Sequence, residues 1–95
     1  MPQALKDDLA PNTANHVALT PLGFIERAAR VYPDHPALIH GALEQSWRQT
    51  YERCCRMAAA LVADGVRTGD TVAVLAPNTP ALYEAHFGVP MAGGV

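Results

Sequence analysis

Three observations predict an α/β fold for this sequence. First, three segments open on helix-start signals, Thr20-Pro21, Ser46-x-x-Gln49 and Asn78-Thr79-Pro80, and each leads into apolar residues. Second, Thr71-Val72-Ala73-Val74-Leu75 is an unbroken apolar run suited to a central strand covered on both faces. Third, a Pro-Asn-Thr-Pro turn joins that run to the last helix, an order that normally hands the chain to a second parallel strand. No such strand precedes Gly94-Val95. The expectation is therefore an incomplete α/β domain: a short hairpin, three helices and one buried strand.

Met1 to Leu19 mixes prolines, asparagines and acidic residues without a sustained period, so 1–19 reads as a surface tail and 20–95 as a partial domain. At Thr20-Pro21 the Thr hydroxyl can accept from an orphan N–H, and Pro at the first helical position forfeits no bond. Leu22, Ile25, Ala28, Ala29 and Tyr32 share one face of that helix, and Pro33 ends it. Pro36 to His40 reads as a strand, turned back at Gly41-Ala42-Leu43 into a second extended piece at Glu44-Gln45.

Ser46-Trp47-Arg48-Gln49 has the form of a capping box. The helix behind it places Trp47, Tyr51, Cys54, Ala58 and Leu61 on one apolar face, and Gly65, with Val66 behind it, supplies a left-handed stop. Thr68-Gly69-Asp70 forms a tight turn into the apolar run. The last helix carries Leu82, Tyr83, Ala85, His86, Phe87 and Val89 around much of its circumference, and Pro90 marks a bend or stop. Leu82, Phe87 and Val89 would each forfeit about 1.5 to 3 kcal/mol if left in water. Cover by further polypeptide is expected, and the isolated chain is expected to be marginal.

Composition narrows the classes of function. The 95 residues are 49% apolar and 17% charged, a globular and rather oily balance. A net charge of −2 and a pI near 6.0 give no electrostatic reason to expect nucleic acid. Arg27 with Arg30, and Arg53 with Arg56, read as solvated helix faces beside Glu26 and Glu52. Cys54 and Cys55, adjacent in a helix, cannot form an ordinary disulfide, so one is expected to pack as a small hydrophobe and the other to sit near the surface in a reducing compartment. No secretory signal order and no apolar run long enough for a membrane span are present, which points to the cytoplasm.

Catalytic signatures are lacking. Gly93-Gly94 has no following Lys and Ser/Thr, and neither a nucleophile elbow nor an HExxH pattern occurs. His86 has no acidic or nucleophilic partner in the pattern and reads as a packing residue or a backbone hydrogen-bonder; His16, His35 and His40 lie in tail or turn contexts. Trp47 and Tyr51 read as core rather than a stacking platform. No catalytic, cofactor-binding or metal residue is assigned.

Three stretches carry a family resemblance: Leu19-Thr20-Pro21-Leu22-Gly23-Phe24-Ile25-Glu26-Arg27-Ala28-Ala29, Val31-Tyr32-Pro33-Asp34-His35-Pro36-Ala37, and the block from Gly65 through Gly69-Asp70 and the Val/Ala/Leu run to Ala76-Pro77-Asn78. Together they resemble the amino-terminal region of AMP-forming acyl-CoA synthetases. Tyr83-Glu84-Ala85-His86-Phe87-Gly88-Val89-Pro90-Met91-Ala92-Gly93 is similar to the subgroup that activates fatty and other carboxylic acids. The resemblance implies a parent enzyme that joins a carboxylic acid to ATP as an acyl-adenylate, releases pyrophosphate and passes the acyl group to coenzyme A. It also implies Mg²⁺, a Ser/Thr/Gly-rich loop ending in Lys and a mobile domain carrying a further Lys, none of which matches a position in this sequence. What it assigns to the segment is scaffold in the large amino-terminal domain, inactive alone. Carrier-loading adenylation domains and luciferase-like oxygenases share the superfamily. A small non-catalytic α/β interaction module, pairing through its strand edge and last helix, is the reading from another class.

Overall fold

A computed structural model describes residues 10–95. The expected tail therefore lies partly outside the described residues. From 10 to 19 the chain is exposed and forms neither helix nor strand, with one turn in which the Asn12 side-chain carbonyl accepts from the Ala14 and Asn15 N–H groups at 2.8 and 3.1 Å.

Helix α1 (Pro21–Val31) follows. Its inward stripe is centred on Ile25, which is 1% exposed, and Leu22, Ala28 and Ala29 flank it half-buried. Tyr32, expected on the same face, lies past the helix end and half exposed, its ring 5.2 Å from that of His35. The expected Thr20 cap is absent. Its backbone is extended, but the hydroxyl accepts nothing from the first turn, and the Gly23 N–H donates to the Thr20 carbonyl instead. Pro21 starts this helix by its preset φ rather than by a side-chain bond.

Strands β1 (Pro36–His40) and β2 (Leu43–Ser46) pair antiparallel, with Leu38 opposite Gln45 and His40 opposite Leu43. Gly41, at φ 60°, makes the reversal. Ser46 then caps helix α2 (Trp47–Ala63) by the anticipated reciprocal bonds: its hydroxyl accepts from the Gln49 N–H at 3.2 Å, and the Gln49 side chain accepts from the Ser46 N–H at 2.9 Å. Cys54 and Ala58 form the buried face with Trp47, Tyr51 and Leu61 half-buried around them. Thr50, not foreseen as core, is fully buried, and Gln45 of β2 satisfies its hydroxyl by donating to it at 3.2 Å.

Gly65 closes α2 at φ 101°. Its N–H donates to Val62 and that of Val66 to Leu61, both at 3.0 Å, which satisfies two end carbonyls. Helix α3 (Pro80–Met91) ends the same way at Gly93, φ 85°: Gly93 donates to Pro90 at 2.9 Å and Gly94 to Val89 at 3.0 Å. Pro90 sits inside the last turn, one residue before the helix ends. Thr79, like Thr20, makes no side-chain cap bond.

Helices α2 and α3 pack together most extensively, and α1 lies against both. Their close approach is permitted at Gly88, where a β-carbon would stand 2.6 Å from the Met57 sulfur. The core is Ile25, Cys54, Ala58, Ala85, Val89 and Ala92.

One expectation fails. Thr71 to Leu75 is not a buried central strand: it belongs to no sheet, Val74 is 46% exposed and Leu75 is fully exposed. The cause is a lack of partners, since a parallel strand needs ladder neighbours and cover on both faces. The described residues supply only the first rung. The Val95 N–H donates to the Asp70 carbonyl and the Val72 N–H to the Val95 carbonyl, both at 2.8 Å, the alternation of a parallel pairing centred on Thr71 and Val95. A second tie, from the Gly69 N–H to the Gly93 carbonyl at 2.8 Å, brings the turn before the run against the stop after α3.

Candidate functional site

The polar chemistry of the molecule concentrates where α2 crosses α3. Glu84, the only charged residue of α3, is 2% exposed. Arg53 of α2 donates its Nε–H to the carboxylate, 2.9 Å from each oxygen. The remainder of that guanidinium faces solvent, the Arg53 side chain being half exposed. Arg53 is thus exposed as the pattern predicts, but its Nε–H is turned to a buried carboxylate of another helix rather than to Glu52. Arg30 does fit that expectation, bonding Glu26 one turn away at 2.8 Å with both side chains exposed. Sequence reasoning missed Glu84, although one signal was available: a single carboxylate in an otherwise uncharged helix must find a partner or stay unburied.

Beside this pair, the Cys54 thiol is fully buried and donates weakly to the Glu84 backbone carbonyl at 3.7 Å. Burial first, and the Glu84 carboxylate second, push its pKa up to about 11. A thiol held neutral in this way is a packing group. Cys55, one residue on, is exposed, and both are free, as the sequence anticipates.

An open apolar groove of about 300 Å³ runs between Val72 and Val74 on one side and Leu82 and Val89 of α3 on the other. His86 stands at its edge with Nδ1 2.9 Å from the Leu82 carbonyl, the backbone bond expected of it. In that contact the ring donates from Nδ1 to the carbonyl oxygen. Apart from His86, the groove is lined by apolar residues. The remaining sequence candidates stay apart: His16 is exposed on the tail, His35 stacks on Tyr32, and His40 is exposed on β1. Among the described residues, no group of three or more His, Cys, Asp or Glu side chains is placed to hold a metal ion. The positive-φ glycines Gly41, Gly65, Gly69 and Gly93 all serve a turn or a helix stop. What this arrangement does is hold two helices together and bring Val95 beside Thr71.

Three helices packed with a two-stranded hairpin, and one parallel rung beyond them, define an α/β segment, and the match to known proteins says which. Residues 25–95 match the model for the AMP-binding enzyme family, and the chain belongs to that family. It is 57% identical over 89 residues to a peroxisomal acetate/butyrate–CoA ligase of Arabidopsis thaliana, and 58% identical over 89 residues to an acetate–CoA ligase of Humulus lupulus. Each alignment covers 94% of this chain but 16% of the relative, so the chain spans about one sixth of the length of the curated relatives it matches. Two structures of NpsA from Klebsiella oxytoca share the fold. The fused adenylation–PCP di-domain has a TM-score of 0.74 at 27% identity, covering 78% of this chain and 14% of that one. The N-terminal subdomain alone has a TM-score of 0.78 at 26% identity, covering 82% and 20%.

Proposed function

We propose that this chain is a scaffold segment of an ATP-dependent carboxylic acid–CoA ligase that works through an acyl-adenylate. The observation that carries the reading is the 57–58% identity, sustained over 94% of the chain, to two ligases that join short acids to CoA. The geometry supports the scaffold role. The Arg53–Glu84 pair and the Gly88–Met57 contact fix α3 on α2, and the stop at Gly93 then delivers Val95 beside Thr71 in parallel register. On this reading 1–19 precedes the domain and 20–95 is part of it, and the segment contributes no catalytic, cofactor-binding or metal-binding residue.

ATP, Mg²⁺ and coenzyme A are implied for the whole enzyme. The groove beside α3 offers neither a fixed cation for phosphates nor a carboxylate for Mg²⁺, and the positive-φ glycines shape turns and helix stops. Those groups are proposed to be held elsewhere in the enzyme, with a small carboxylic acid as substrate and no nucleic acid as partner, in keeping with the net charge of −2. Among the described residues, no helix is long and apolar enough to cross a membrane. The cytoplasm is proposed as the compartment, with the peroxisomal name of one relative pointing to the alternative.

The similarity to an adenylation–PCP di-domain supports a second reading, a carrier-loading adenylation domain. One assay separates the two. The polypeptide encoded by the whole reading frame is given ATP with acetate or butyrate, and pyrophosphate release and acyl transfer are measured. Acid-dependent pyrophosphate release followed by thioester formation on free CoA is the expected outcome. Transfer only to a phosphopantetheinylated carrier would favour the second reading, and no acid-dependent release would overturn both. The 95-residue chain alone is expected to release none; turnover by it would refute the scaffold assignment.

A further inference from the structure

We draw no further inference here: the strongest candidate, the apolar groove between Val72, Val74 and helix α3, carries nothing because nothing in the structure shows what covers it beyond the strand pairing that the family's fold already supplies.

Discussion

Glu84 is the residue on which the helix pair most depends. The Glu84 carboxylate, 2% exposed, accepts from the Arg53 Nε–H at both oxygens, and removing only one member leaves the other without compensation. Arg53→Met is expected to destabilise the fold by about 3 kcal/mol, the low end of the range for broken buried pairs because Arg53 is half exposed. Replacing both, Arg53→Met with Glu84→Leu, should restore most of that loss. Denaturant midpoints of the single and double variants measure it, and a single-variant loss below about 0.5 kcal/mol would class the pair with ordinary surface bridges.

The two cysteines make a second residue-scale test. A thiol-alkylating reagent at pH 8 should modify Cys55 in the native protein and reach Cys54 only after unfolding, as read by peptide mass mapping. Equal rates would show that Cys54 is not buried. The pH dependence has a definite sign. Cys54 ionises near 11 when folded, above its ordinary value of 9.0, so above about pH 9 the unfolded chain releases this proton first and stability declines with rising pH. Cys54→Ala should flatten that decline.

At the scale of elements, three Ser or Thr residues precede helices, and one of them caps by its side chain. Ser46→Ala removes the bond to the Gln49 N–H and is expected to lower stability by about 1 kcal/mol. Thr20→Ala and Thr79→Ala should change it by no more than a few tenths, since neither hydroxyl accepts from its helix and proline opens both. Thermal unfolding of the three variants decides the matter; equal losses would mean that the caps are alike. All three starts are written in the sequence as the same class of signal. They differ because a serine backed by a glutamine three residues later closes a reciprocal pair, whereas a Thr-Pro start has its φ fixed without one.

For the whole molecule, the decisive feature is apolar surface without cover. The run from Thr71 to Leu75 has strand composition and one parallel rung, yet Leu75 is fully exposed and Val74 nearly half. Val74→Asp therefore has opposite consequences in two settings. In the 95-residue chain it should raise solubility, measured as the soluble fraction after concentration, with little change in stability. In a polypeptide of the relatives' length, where a sheet would bury this position, it should destabilise by at least about 1.5 kcal/mol. Loss of stability in both would contradict the assignment of that run to an inner strand.

Much of the architecture was legible in the residues because it is held by bonds that span only a few positions. The capping box at Ser46, the glycine stops, the Gly41 reversal and the His86 contact with Leu82 all close within five residues, so their chemistry is visible in order along the chain. The Arg53–Glu84 pair was not legible, because it joins residues 31 positions apart and exists only once two helices cross with those faces together. The rung between Thr71 and Val95 is similar, since no local pattern states where a crossover returns. The order of residues along the chain suffices for the starts and stops of the helices and for the family to which the chain belongs. Which charge lies inside, and that the apolar run at 71–75 remains open, emerge once the helices pack, because burial depends on the surface that meets a side chain and not on the side chain alone.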